Sequence, residues 1–408
     1  MTDTIFALSS GAPPAAIAVV RVTGPEAGNV LRALCGRIPP PRRAVSVGLI
    51  DGEGEVIDRA LVLWLPGPGT ATGEDVAEFH LHGGRAVIAA LERALAGMPG
   101  LRAAQAGEFT RRAFANGRID LAEAEGLADL LCAETELQRR GAMAMAGGAF
   151  SSMVAAWRDR LLAASASLEA VLDFGDEDDV APLPAAFGDQ LAGLEGEISG
   201  WLARPRAEVL REGYRVVIAG PPNVGKSTLF NVLVGSEAAI ATPIAGTTRD
   251  VLTRPVSLDG IPFLFADTAG LHDNAGDEVE AIGIERALEA LDRADLVLWL
   301  GPEGAGPAGA WEIASQIDRA DSLLKRHARH RISAISGAGL DALRQDLMET
   351  ARLAMPKPGD AALNERQHGL LAQASRALAA ARTERDPLLV AENLRLARLA
   401  FDALLGRT

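Results

Sequence analysis

Three regimes of apolar and polar positions follow one another along the chain. From Thr4 to about Asn116, short β-rich runs are punctuated by Gly and Pro turns. Ile17–Val22 and Ala60–Leu65 read as strands bounded by turn residues, and Ala86–Ala96 has helical periodicity ending at Gly97. This mixture predicts an α+β domain over residues 1–117. From about Ile119 the period lengthens. Leu121, Ala124, Leu127, Ala128 and Leu131 share one helical stripe, while Glu123, Glu125 and Asp129 lie off it. Ala/Leu-rich helices continue to Leu172, break at the acidic stretch 173–179, and resume near Leu191. Asn364–Leu405 is again helical.

The economical arrangement is one helical domain made of two segments, 118–210 and 356–408, with a domain inserted between them at 211–355. Pro356 and Pro358, beside Gly359, mark the second junction. Within the insert, Arg215–Ala219, Ile261–Phe265 and Leu296–Leu300 are continuous apolar runs of the kind buried on both faces of a sheet, with helical patterns between them. A doubly wound α/β fold is expected there, so the chain as a whole reads as multidomain, part α/β and part α.

Composition changes this picture little. At 408 residues, the length suits two or three domains. A net charge of −14 argues against a broad nucleic-acid-binding face on this chain alone. Arg111, Arg112 and Arg118 form one local basic cluster, which reads equally as a solvated helix end. Cys35 and Cys132 are too few for a disulfide framework or a metal cluster and are expected to be core thiols in a reducing compartment. The start, Met1–Thr4, has no basic region ahead of an apolar core, and no run approaches the ~18 apolar residues of a spanning helix. A cytoplasmic protein without a membrane anchor is the expectation.

The chemistry lies in the insert. Gly220-Pro-Pro-Asn-Val-Gly-Lys-Ser227 fits G-x-x-x-x-G-K-[ST], follows an expected strand and opens an expected helix. Gly225 lets backbone N–H groups turn onto a β-phosphate, and the helix N-terminus adds its dipole. Lys226 is placed to reach the β- and γ-phosphates and Ser227 to ligate Mg²⁺, with Asn223, Val224 and Thr228 completing the nucleotide contacts. Asp267-Thr268-Ala269-Gly270 comes directly after an apolar strand, where a carboxylate holds Mg²⁺ through water and the Gly270 N–H senses a γ-phosphate. Between them, Thr248 in Gly246-Thr-Thr-Arg-Asp250 is the natural switch ligand for Mg²⁺. One such motif alone is weak; three in order point to a Ras-like G domain acting on GTP.

Two features depart from the common G-domain pattern. Leu271 stands where a water-orienting glutamine is usual and has no hydrogen-bonding group, so the catalytic acid or base must lie elsewhere. Asp277-Glu-Val-Glu280 supplies candidates, although an exposed acidic helix start explains those residues as well. At the base motif, Ser315-Gln-Ile-Asp318 replaces Asn-Lys-x-Asp. Asp318 can accept from guanine N1 and N2, and Ser333-Ala334 suits the loop that supports O6, but Ser315 and Gln316 weaken the motif.

Taken together, these motifs resemble the MnmE (TrmE) family of tRNA-modification GTPases over nearly the whole chain. The resemblance also rests on Asp3-Thr-Ile-Phe6, Arg21-Val-Thr-Gly24, Thr72-Gly-Glu-Asp-Val76, His82-Gly-Gly84, Gly107-Glu-Phe-Thr110, Arg112-Ala-Phe114, Asn116, Asp120–Glu125 and Ile282-Gly-Ile-Glu-Arg286. It implies a folate-binding-like N-terminal domain that forms a homodimer and holds 5-formyltetrahydrofolate or a related folate through Arg21, Glu78 and Arg118, where lysine is common at the last. It implies K⁺ bound by Asn223, Thr242, Ile244 and Thr247, standing in for an arginine finger as two G domains meet, and Glu280 as the group that orients water. It further implies a flavin-dependent partner, MnmG, in a heterotetramer or larger complex. That complex would add an aminomethyl or carboxymethylaminomethyl group to C5 of the wobble uridine of certain tRNAs, with the partner supplying much of the tRNA surface.

The family tail ends Cys-Ile-Gly-Lys, whereas this sequence stops at Gly406-Arg-Thr408, so no role for a tail cysteine is expected of the residues present. The alternatives are a folate- and nucleotide-binding scaffold whose hydrolysis has decayed, and a ribosome-assembly GTPase. The second normally carries a basic RNA-binding appendage, and no GXXG loop flanked by basic strands occurs here.

Overall fold

The computed structural model describes residues 3–174, 186–235, 252–267, 288–319, 325–357 and 359–407. They form two compact units, residues 1–124 and 125–408.

The first unit is built on a six-stranded sheet. Its strands are β1 (Thr4–Leu8), β2 (Ile17–Thr23), β3 (Val45–Ile50), β4 (Val56–Leu65), β5 (Val76–His82) and β6 (Leu101–Ala103), in the order β3-β4-β5-β2-β1-β6. The pairings are antiparallel except β1 with β6. Helices α1 (Ala27–Cys35) and α2 (Arg85–Ala96) cover it, and Val20, Val22, Leu31, Val62, Phe79 and Leu91 fill the core at no more than trace exposure. Helix α3 (Glu108–Ala115) follows.

The basic cluster is divided between surface and interior. Arg112 is wholly buried, donating to the Asp3 carbonyl at 2.8 Å and to the carboxylates of Asp3 at 2.9 Å and Glu74 at 3.1 Å. Arg118 donates from Nε to the Thr70 carbonyl at 3.2 Å, and both it and Arg111 are exposed. The cysteines are not both core thiols. Cys35 is half-buried, its thiol pushed up to about 11 by desolvation, while Cys132 is exposed.

Beside Arg112, Glu108 is buried and accepts from Arg102 at 2.5 and 2.8 Å and from the Gln105 N–H at 2.8 Å. Hydrogen bonding from Arg102 holds its carboxyl down at about 2, against an ordinary 4.5. A depressed carboxyl stabilises the fold fully above the unfolded-state value and loses that contribution as pH falls through the folded one. The first unit is therefore expected to lose stability in acid between about pH 4.5 and 2. In Glu108→Gln that acid loss should shrink, on top of lower stability at neutral pH. Urea midpoints at pH 6 and pH 3 measure both; an unchanged pH dependence in the variant removes Glu108 from the account.

The second unit begins within α4 (Leu121–Cys132) and continues through α5 (Glu136–Ala146), α6 (Ala149–Phe174), α7 (Phe187–Leu202) and α8 (Ala207–Glu212). Thr135 and Gln138 make a capping box at the start of α5, and the Gln138 amide also donates to the Leu210 carbonyl at 3.0 Å, joining α5 to α8 just ahead of the inserted sheet. At the chain's far end, α11 (Glu365–Thr383) and α12 (Pro387–Leu405) pack with α6 and α7. Trp157 of α6 lies 6.1 Å from Phe401 of α12, ring to ring, and Arg158 pairs with Asp402 at 2.6 Å. Helices from both sides of the insert thus share one core.

The insert holds β7 (Tyr214–Ala219), α9 (Lys226–Gly235), β8 (Leu252–Leu258), β9 (Ile261–Asp267), β10 (Leu296–Trp299), β11 (Trp311–Ala314), β12 (His330–Arg331) and α10 (Leu340–Ala354). Its sheet runs β12-β11-β10-β7-β9-β8, parallel except for the edge pair β8 and β9. Val216, Ile218, Phe263, Phe265, Leu298 and Ile313 pack its centre. Pro255 sits in β8, an edge position where a missing N–H costs no central ladder bond. The strand order reverses direction beside β7, and ligands of open α/β sheets bind at such a switch, outside the carboxyl ends of the strands.

Candidate functional site

Residues 220–225 span from β7 to α9 at that carboxyl edge. The loop needs left-handed backbone at three points. Gly220 has φ of 150°, Gly225 of 93°, and Asn223 adopts 64° without being glycine. A Cβ on Gly220 would meet the Gly301 nitrogen at 3.0 Å, so the loop also packs tightly against the end of β10. Lys226 opens α9 and is 5% exposed, and its ammonium donates to the Pro221 carbonyl at 2.9 Å, folded over the loop it follows. Ser227, Thr228 and Asn223 are exposed, while Val224 is buried against the sheet.

Asp267 ends β9, 1% exposed, with its Cα paired in register to Ile218 of β7. Its carboxylate and the Ser227 hydroxyl are hard oxygen donors of the kind Mg²⁺ takes, so these two residues fit the expected ion. Thr242, Ile244, Thr247, Thr248, Thr268, Ala269, Gly270, Leu271 and Glu280 lie outside the described residues. Among the expected K⁺ ligands, only Asn223 is therefore located. No group of three His, Cys, Asp or Glu side chains able to hold a metal occurs among the described residues.

The base side is built by two loops. Ser315-Gln-Ile-Asp318 leaves β11, and Ser333-Ala334 leaves β12, with Ile332 N–H donating to the Ala314 carbonyl at 2.8 Å to hold the pair together. Ser333 is fully buried, and its hydroxyl accepts from Ser336 N–H at 3.1 Å, shaping the turn that carries Ala334. Gly225, Thr228, Gln316, Asp318, Ala334 and Ile335 border a cavity of about 40 Å³. Asp318 is exposed at its rim.

Sequence reasoning missed what Ser315 and Gln316 touch. The Ser315 hydroxyl, buried, donates to the Val224 carbonyl at 2.7 Å, and the Gln316 amide donates to the Asn223 carbonyl at 3.2 Å. Both contacts are with the phosphate loop.

In the first unit, Arg21 of β2 and Glu78 of β5 are register partners and pair at 2.7 Å, with the Arg21 guanidinium 6.0 Å from the centre of the Phe109 ring. Arg118 lies against the 70–73 turn, where a Cβ on Gly73 would meet its Cγ at 3.2 Å. Among the described residues, no helix is long and apolar enough to cross a membrane.

Comparison with known proteins bears on the whole chain. Residues 4–118 match the family model of the GTP-binding protein TrmE N-terminus, and residues 121–408 match that of the MnmE helical domain. A tRNA modification GTPase MnmE from Novosphingobium aromaticivorans is 60% identical over 100% of this chain and 96% of its own length. The protein of the same name from Erythrobacter litoralis is 60% identical over 99% and 96%, and that from Rhizorhabdus wittichii 59% over 100% and 93%. Among solved structures, the G domain of the T. maritima FeoB iron transporter aligns at 22% identity with a TM-score of 0.22, covering 34% of this chain and 98% of that one. Two family models that together span nearly every residue, and relatives this similar from end to end, place the chain in the MnmE family of tRNA modification GTPases.

Proposed function

We propose that this chain hydrolyses GTP in the service of tRNA modification, and that with a flavin-dependent partner, MnmG, it takes part in adding a carboxymethylaminomethyl or aminomethyl group to C5 of the wobble uridine. The observation that carries the nucleotide part is the strand–loop–helix unit from Tyr214 to Gly235, with its left-handed loop, its buried Lys226 and a carboxylate at the end of the neighbouring strand.

In this reading the loop N–H groups and the N-terminus of α9 receive the β-phosphate. The Lys226 ammonium exchanges the Pro221 carbonyl for phosphate oxygens, and Ser227 and Asp267 would hold Mg²⁺. Magnesium, when bound, offsets charge on the phosphate oxygens. Glu280 orients the attacking water, and Asn223, Thr242, Ile244 and Thr247 would hold K⁺, which would supply the positive charge of an arginine finger when two G domains come together. The first unit forms the homodimer and holds a formyl-folate at Arg21, Glu78 and Arg118; the Arg21–Glu78 pair on adjacent strands offers both a donor and an acceptor for it.

The test is GTP turnover in K⁺ against Na⁺, with Glu280→Ala alongside. Turnover is expected to be at least about tenfold faster in K⁺ and to fall about a hundredfold in the variant. No K⁺ stimulation together with an inert Glu280→Ala would leave the decayed scaffold as the better account. Mass spectrometry of wobble uridines from cells lacking the gene tests the tRNA step: unmodified C5 is expected, and full modification would refute it.

A further inference from the structure

A cavity of about 500 Å³ lies where α4, α5 and α8 come together, and no residue of the phosphate or base loops lines it. Glycines set two of its walls. A Cβ on Gly126 of α4 would meet the Met145 Cβ at 2.7 Å, and one on Gly141 of α5 would meet the Leu210 Cδ2 at 2.9 Å. Met145 and Leu210 are thereby pressed against the backbone of a neighbouring helix. With Ala142 and Ala207 they give the cavity a mainly apolar lining. Such a volume and lining suit a small molecule whose apolar body is buried and whose orientation is fixed by a few polar groups.

The polar groups here are out of balance. Asp129 lines the cavity, and among the described residues its carboxylate has one ion-pair partner, Arg211 Nε, at 3.9 Å. That is beyond hydrogen-bond range, and the Arg211 side chain is 71% exposed. Gln138, also in the lining, has already given its amide to the Leu210 and Arg211 carbonyls. Nearby, Glu125 is held by Arg366, whereas Glu208 accepts from the Glu365 N–H through Oε1 and keeps Oε2 buried without a hydrogen-bond partner. Burial, against the pull of Arg211, and then the Glu125 and Glu208 carboxylates push the Asp129 carboxyl up. Exposed Glu134 adds a further carboxylate to the lining. The wall therefore carries more negative charge than one loosely held guanidinium offsets.

We infer that this cavity is a binding site for a small organic cation, an amine on an apolar body, with Asp129 receiving the ammonium. The apolar walls take the body whatever its charge. The ammonium brings the donors that the carboxylate lacks, in a partly desolvated place where a charge-assisted hydrogen bond is strong. A neutral analogue gains burial alone, and an anion meets Asp129 as a like charge.

The experiment titrates the full-length chain, methyl-labelled at its methionines, with phenethylamine, phenethyl alcohol and phenylpropanoate. The Met145 methyl, assigned through Met145→Leu, reads the cavity by ring-current shift, and Met98 of the first unit is the control. Phenethylamine is expected to shift Met145 and not Met98, saturating in about the millimolar range. The alcohol should bind roughly tenfold more weakly and phenylpropanoate not at all. Asp129→Asn should abolish the preference for the amine, and Arg211→Gln, which removes the competing cation, should strengthen amine binding about two- to fivefold. Should Asp129→Asn fail to fold, the ranking of the three probes and Arg211→Gln still decide. Equal binding of the three probes overturns the inference, as does no Met145 shift at about 10 mM amine. So does a preference that survives in Asp129→Asn, or no gain in Arg211→Gln.

Discussion

Replacing Lys226 with alanine is expected to lower GTP turnover about 10²–10³-fold while leaving the folded content of the chain unchanged. Lys226 is 5% exposed, and its ammonium lies 2.9 Å from the Pro221 carbonyl, within the loop that would wrap the phosphates. Its resting contact is already with the loop itself, so the ammonium starts close to where the phosphates would lie. A charge fixed in a water-poor site is worth far more to a developing phosphate charge than the same charge in solvent. Lys226→Arg is not expected to rescue, because a planar guanidinium is larger and presents its donors in a fixed fork. Phosphate release at saturating GTP is the measurement, with circular dichroism as the control on folding. Turnover within about threefold of wild type in Lys226→Ala would remove this lysine from the chemistry.

The phosphate loop was legible in the sequence because everything it needs lies within eight residues, between a strand and a helix whose patterns are themselves strong. Arg215–Ala219 and Ile261–Phe265 are continuous apolar runs because β7 and β9 are buried in a parallel sheet, and they could be read as strands without tertiary information. Other strands carry no such signal. β5 interleaves Glu78, His80 and His82 with its buried positions, and β8 holds Arg254 and Pro255, which only an edge tolerates comfortably. From sequence alone Ser315 is a weakened base ligand, since nothing near it in sequence reveals a bond to a carbonyl 91 residues away. Residue type set what Ser315 could donate; only the packing of two loops set where the proton goes.

The division of the basic cluster has a related cause. Arg111 and Arg112 are neighbours in sequence, but successive residues on a helix point about 100° apart. On α3 one of them faces solvent and the other the interior. Counting like charges along a segment therefore says little about a surface until the helical phase is known.

That phase makes Arg112 the residue whose loss should cost the first unit most. Its guanidinium donates to the Asp3 carbonyl and to the Asp3, Glu74 and Glu108 carboxylates, with nitrogen–oxygen distances from 2.8 to 3.4 Å. Those partners come from the strand β1 entrance, the turn before β5 and α3 itself, so one cation ties three parts of the chain. Glu74 has a second donor in the Thr23 hydroxyl at 3.2 Å, and Glu108 keeps Arg102, but neither replaces a charge at the centre. Arg112→Met fills similar volume without the charge and leaves carboxylates buried with fewer partners, a change that typically costs about 3–5 kcal/mol. Arg112→Lys should recover only part, because a single ammonium cannot span acceptors arranged for a fork. Pairing Arg112→Met with Glu74→Gln should be less damaging than the sum of the two, since the second change removes a charge that the first has stranded. Amide hydrogen exchange of β2 and β5 in the full-length chain reads the local stability directly. Protection in Arg112→Met within about 1 kcal/mol of wild type would show that the network is bystander geometry rather than the clasp of this unit.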